Sequence, residues 1–149
     1  AASLLEAGVD PERLYEMVYA TAPAGRIRLT AEVLETLHVE PEIGLSWITV
    51  PLGAIERHGV TSDDLDGLVE FARSVQGTRV ALMFRHLANG RVKVSFRSVG
   101  DFDVAEFAHQ FGGGGHAKAS GASISGPMES VQQQVLSAAR AALATPRTA

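Results

Sequence analysis

The sequence predicts an α/β domain: a mixed sheet of about four to five strands with flanking helices, preceded by a small helical linker. Three observations predict it. Short β-branched runs alternate with longer segments whose apolar residues recur at intervals of three and four. An Asn89-Gly90 pair separates two strand-like runs, the strongest short-range hairpin signal. A hydrophobic content of 46% with 20% charged residues, in 149 residues, suits one core of ordinary size.

In chain order, AASLLEAG reads as the end of a helix stopped by Gly8, which leads us to expect further chain upstream. Asp10 and Pro11 supply an N-cap and first-turn proline for a helix to about Ala20. A further helix over roughly 26–37 places Ile27, Ala31 and Leu34 on one side, and Pro41 and Gly44 close the helical section. LSWITVPL, Leu45 to Leu52, reads as a strand. Thr61 to Val75 reads as one helix with Leu65, Leu68, Val69, Ala72 and Val75 on its apolar stripe. Asp63, Asp64 and Asp66 in its first turn complement the helix dipole, a simpler reading than a metal site.

Thr78 to Val99 is the hairpin. VALMF is apolar on both faces and therefore central. In the second strand Val92, Val94 and Phe96 alternate with Arg91, Lys93, Ser95 and Arg97. A two-residue loop would set His86 opposite Lys93 and Phe84 opposite Ser95. Phe102 to Gly112 is a helix with Asp103 as N-cap, Glu106 three residues on, and Phe102 and Phe107 placed as a hydrophobic staple. Val104, Phe107, Ala108 and Phe111 face the core, and Gly112 ends the helix. ASISG is a short strand, Pro127 opens a last helix to about Ala144, and TPRTA is a tail.

The absence of cysteine excludes disulfides, thiolate catalysis and cysteine-bound zinc. No apolar run is long enough for a membrane span, and no leader sequence is recognisable, so a cytoplasmic location and no membrane partner are expected. The net charge of −4 disfavours purely electrostatic gripping of long nucleic acid. Between Arg79 and Lys118, however, there is a local excess of three positive charges, better suited to a small anionic ligand.

FGGGGHAKASG, Phe111 to Gly121, is the unusual stretch. It is either a flexible linker or a place of close backbone approach, and its position between a well-signalled helix and a strand favours the second. Gly112, Gly113, Gly114 and Gly115 allow successive amides to turn toward an anion, His116 adds an imidazole donor, and a short helix over HAKAS would add its positive end. A dinucleotide or P-loop motif fails, because a helix and not a strand leads into the glycines. Arg97, in SFRS, offers a guanidinium fork flanked by Ser95 and Ser98, although an arginine on a strand is ordinarily a surface ion-pair partner.

KVSFRS followed by DVAEFAHQFGGGGHAKASG resembles the C-terminal DHH-associated domain of the DHH phosphoesterases, whose hallmark is GGGGH. The resemblance is strongest to the nano-RNase and phosphoadenosine-phosphate phosphatase (NrnA-like) branch, with Ser120 standing where alanine is more usual. It implies a two-lobed hydrolase. A DHH lobe binds two manganese ions; the associated lobe binds the nucleotide end of short RNA or a nucleoside bisphosphate. It assigns phosphate or base contacts to Arg97 and Gly112 to His116, with Ser95 and Ser98 as weaker candidates. The sequence has no D-H-H triplet, and its five histidines lack carboxylates at ligand spacing, so no catalytic or metal-binding residue is expected in this chain.

The expected organisation is therefore a linker over 1–40 from an upstream catalytic lobe and a substrate-binding domain over 41–149. On its own such a chain should be inactive, without a cofactor of its own. Its partners would be the nucleotide substrate and the companion lobe, with a homodimer allowed for. Alternatives are a lobe of a cyclic-dinucleotide phosphodiesterase, a non-catalytic RNA-binding module like those appended to alanyl-tRNA synthetases, and an oligomerising domain.

Overall fold

Buried β-branched, leucine and phenylalanine side chains along the strands 80–86 and 91–98 organise the molecule: both strands give one side to a first core, and the strand 80–86 gives Ala81 and Met83 on its other side to a second. The computed structural model describes residues 22–144. The helices expected over 1–20 and the tail lie outside the described residues. The elements are α1 (Ala24–Leu34), β1 (His38–Glu40), β2 (Leu45–Thr49), α2 (Ala54–His58), a 3-10 turn (Ser62–Leu65) and α3 (Leu68–Arg73). Then follow β3 (Val80–His86), β4 (Arg91–Ser98), α4 (Val104–His109), β5 (Gly114–His116), β6 (Ala119–Ser125) and α5 (Met128–Ala144). The sheet is mixed and six-stranded in the order β1-β2-β3-β4-β6-β5, parallel only between β2 and β3. The α/β class and mixed sheet are as expected; the short strands β1 and β5 bring the count to six.

The first core gathers Leu45, Trp47, Val80, Leu82, Phe84, Val92, Val94 and Phe96 beneath α4 and α5. Phe96, Phe102, Phe107 and Phe111 interlock with ring centroids 5.4–6.1 Å apart. The second core sets Ile48, Ala81 and Met83 against Leu29 and Val33 of α1, Ala54 of α2, and Leu65, Leu68, Val69 and Ala72. Burial of that kind is worth about 1.5–3 kcal/mol for each large side chain. The alternation read along β4 is thus literal: Val92, Val94 and Phe96 are fully buried, and the residues between them point to the other face.

Four expectations change. Ile27 on the anticipated α1 stripe is 60% exposed, and the buried pair is Leu29 and Val33, because α1 is turned to meet the second core. The helix expected over 61–75 breaks at Gly67, whose φ of 86° is left-handed; a 3-10 turn precedes the break and α3 follows it. There Asp64 accepts a hydrogen bond from the Thr61 amide at 3.0 Å, an end-capping role.

The hairpin loop contains three residues, not two. The Leu87 amide bonds the Arg91 carbonyl at 2.8 Å, and Gly90, at φ 72°, donates back to Leu87. This turn with a glycine bulge shifts the register by one, so His86 faces Val92, Arg85 faces Lys93 and Phe84 faces Val94. Finally, HAKAS forms no helix: it is the tip of the β5–β6 hairpin. The strand read as ASISG accordingly begins earlier, at Ala119.

Candidate functional site

The glycine run is built by what surrounds it. Asp103 caps α4, its carboxylate accepting from the amides of Ala105 at 2.8 Å and Glu106 at 3.1 Å. Gly112, at φ 69°, ends that helix, and the amides of Gly112 and Gly113 return to the carbonyls of His109 and Ala108. A Cβ on Gly113 would lie 2.3 Å from the Gly121 carbonyl oxygen, so only glycine lets β5 come this close to β6. Gly115, at φ 146°, is confined likewise, by the Ala119 carbonyl at 2.7 Å. The expected amide cradle at a helix N-terminus is therefore replaced by a glycine sheet edge. Two of its amides serve the helix end, and β5, as outermost strand, keeps one side of its backbone unpaired.

Register determines which candidate side chains meet. Ala81, Arg97, Ala119 and His116 form one row across β3, β4, β6 and β5, so Arg97 and His116 project from the same face. Two strand steps of about 4.8 Å separate their backbones, within the combined reach of both side chains. Only Ala119 stands between them. In the next row Met83, Ser95 and Gly121 are in line, with Gly114 opposite Gly121. α3 covers this face over β2 and β3 and reaches β4. Over β5 and β6 the helix in contact is α4, whose Val104, Phe107 and Ala108 belong to the first core, so among the described residues the Arg97–His116 side stays open.

Arg97 is held before any ligand arrives. Its Nε donates to Glu70 Oε1 at 2.8 Å, and one Nη donates to the Phe96 carbonyl at 2.9 Å. The other Glu70 oxygen takes the Arg73 guanidinium. The surface ion pair anticipated for such an arginine does exist, and it leaves the outer guanidinium edge available. His116 is exposed on the hairpin tip, whose carbonyl accepts from the Ser120 hydroxyl at 2.8 Å.

Ser95 lies on the Arg97 face, half-buried. Ser98 does not: it is buried on the opposite face, and its hydroxyl donates to the Phe102 carbonyl at 2.7 Å. It pins the loop ahead of α4, and it is removed from the set of candidate contacts. Two participants were not read from the sequence. Glu70 is 27 residues from Arg97 and carried no signal beyond its place on an amphipathic helix. His109, whose Nε2 would be 3.4 Å from a Cβ on Gly114, lines the glycine edge; a histidine in the last turn before the run is the only hint.

A larger cleft, about 430 Å³, lies on the other side of the sheet between α4 and α5, lined by Arg79, Phe102, Asp103, Glu106, Phe107 and Gln110. It contains none of the motif residues. Among the described residues no three His, Asp or Glu side chains converge on a point where a metal ion could bind. Nor, among them, is any helix long and apolar enough to cross a membrane.

The family model of the DHHA1 domain matches residues 45–145, the whole sheet from β2 onward together with the glycine edge. The chain belongs to the DHHA1 domain family. Within that family it falls in the NrnA-like branch. It is 34% identical over 143 residues to the bifunctional oligoribonuclease and PAP phosphatase NrnA of Thermus thermophilus, covering 94% of this chain and 41% of that protein. To NrnA of Bacillus subtilis it is 26% identical over 124 residues, covering 83% and 38%. An exopolyphosphatase-related protein of Bacteroides fragilis superposes with a TM-score of 0.84 at 29% identity, covering 97% of this chain and 43% of that one. The DHHA1 chain thus spans about two fifths of the length of the curated relatives it matches.

Proposed function

We propose that this DHHA1 domain is the nucleotide-end-binding lobe of a DHH-family phosphoesterase that degrades very short RNA and dephosphorylates 3′-phosphoadenosine 5′-phosphate. The observation that carries the reading is the row Arg97–Ala119–His116: a buttressed guanidinium and an exposed imidazole aimed from one open face, with no bulky side chain between them. A terminal phosphate fits such a place. The guanidinium supplies two parallel N–H donors and the imidazole a third. The floor of Ala119 and Gly121, with the Gly114–Gly115 edge beside it, admits a sugar or base against backbone. Ser95, in the neighbouring row, offers a hydroxyl to the same ligand.

In this reading hydrolysis belongs to a companion DHH lobe of the same protein, where manganese ions activate water. The face described here positions the substrate end against that lobe, and the work takes place in the cytoplasm. Binding by this chain alone is correspondingly weak and unaccompanied by turnover. Adenosine monophosphate titrated into the 149-residue chain, followed by amide NMR, should shift Arg97, Gly114, Gly115 and His116 together at millimolar ligand. Unmoved signals at those four positions would sink the proposal.

A further inference from the structure

Two residues along β4 from Ser95 lies a second concentration of positive charge that the phosphate-end reading does not use. Arg85 and Lys93 are register partners on β3 and β4 and project from the same face as Arg97. Like charges set directly opposite on neighbouring strands repel, so a sheet does not acquire such a pair for its own stability. Neither side chain has an ion-pair or hydrogen-bond partner among the described residues, whereas the neighbouring cations are engaged. Arg91 is bonded to the Ser123 carbonyl, Lys118 to the Gly100 and Phe102 carbonyls, and Arg97 to Glu70. The pair lines a small hollow of about 30 Å³, closed by Ser62, Leu65 and Asp66 at the 3-10 turn and floored by Met83 and Ser95. Asp66 is the one carboxylate in that lining, and it lies beyond ion-pair distance of both cations.

We infer that Arg85 and Lys93 form a second anion subsite, which receives an internal phosphate of a single-stranded oligonucleotide whose end is held by Arg97 and His116. Lys93 is four strand residues from Arg97, about 13 Å at the usual rise. A stacked single strand, with a phosphate every 3.4 Å or so, covers that distance in about four nucleotides, and a stretched one in fewer. Ser95 and Gly121 lie along the path, small enough for the chain to cross. A nucleoside bisphosphate is too short to reach, so the second subsite separates oligonucleotides from the small substrate.

The inference rests on the reading of Arg97 and His116, and the experiment separates the two. Affinities of the 149-residue chain for adenosine monophosphate and for a single-stranded tetra-adenylate are measured across a salt series, for the unmodified chain and for the double variant Arg85→Gln, Lys93→Gln. The double variant should bind the mononucleotide unchanged, which also reports that it is folded. It should lose about tenfold in tetra-adenylate affinity, the scale of a charge-assisted contact at an exposed site. Its logarithmic salt slope for the tetranucleotide should become shallower by roughly 0.7 for each cation removed. Equal tetra-adenylate affinity and slope in both proteins, with mononucleotide binding intact, would overturn the second subsite alone. Failure of the unmodified chain to bind mononucleotide would overturn the phosphate-end reading and this inference with it.

Discussion

At the scale of single residues, the four glycines are not equivalent, and the differences can be measured. Gly113 is confined by backbone: an added methyl would lie 2.3 Å from the Gly121 oxygen and 2.7 Å from the Ala122 Cβ, neither of which can swing aside. Gly114 meets only the end of the His109 ring, at 3.4 Å, and a side chain on an exposed helix end can rotate away. Gly113→Ala should therefore cost about 2–3 kcal/mol, the upper part of the range for overpacking, whereas Gly114→Ala should cost less than about 1 kcal/mol. Urea unfolding of the two variants checks this. Equal losses would mean that the β5–β6 approach in solution is looser than 2.3 Å implies. Glycine in this motif is thus first a condition for bringing the edge strand close, and only then a feature that a ligand can use.

At the scale of elements, α1 is attached to the rest by a polar clasp. Glu32 accepts from His58 Nε2 at 2.6 Å and also binds the Arg57 guanidinium, while Gly25 lets the helix approach so near that a Cβ would meet the His58 carbonyl at 2.3 Å. The His58 hydrogen bond, then that of Arg57, hold the Glu32 carboxyl below the ordinary glutamate range. A carboxylate whose folded pKa is depressed adds stability above its unfolded pKa and loses it as pH falls through the folded value. Glu32→Gln should accordingly be less stable than the parent near pH 7, and the gap should close as the pH is lowered into the acidic range. Denaturation midpoints at several pH values test it; a gap that stays constant would show the clasp to be absent in solution. The clasp holds α1 on the second core, on the side of the sheet from which Arg97 emerges.

What the sequence discloses at this scale follows from how local each signal is. The strands β2, β3, β4 and β6, the capped helix α4 and the C-terminal helix were legible because hydrophobic period, Asp103 and Pro127 act within a few residues; the three-residue strands β1 and β5 carry no such period. The turn of α1 was not, since the side that is buried depends on a sheet formed later in the chain. The hairpin register failed for a related reason: Asn-Gly fits a two-residue loop and a three-residue loop with a glycine bulge equally well. Of the site, Arg97 and the glycine motif could be picked out by residue type. Their common face and the Glu70 buttress depend on pairing across about 20 to 30 residues, which no local pattern encodes, whereas the exclusion of Ser98 follows from the alternation along β4.

At the scale of the whole molecule, the two sides of the sheet divide the labour. One is sealed by α4 and α5 over an aromatic core; the other is covered, among the described residues, by α1 to α3 as far as β4, leaving Arg97, Ser95 and the glycine edge on ground stiffened from behind. A ligand that binds this native surface and not the unfolded chain must raise the melting temperature by mass action. At ten times Kd, adenosine monophosphate should add about 1.4 kcal/mol. For a domain of this size that is a rise of roughly 4 °C. Arg97→Ala should abolish the rise. Glu70→Ala should reduce it without removing it, because the guanidinium remains but loses the carboxylate that aims it. That ordering separates a ligand held by the Arg97 face from one lodged in the larger cleft between α4 and α5, where neither residue lies. A melting shift that survives both substitutions would move the binding site to the other side of the sheet.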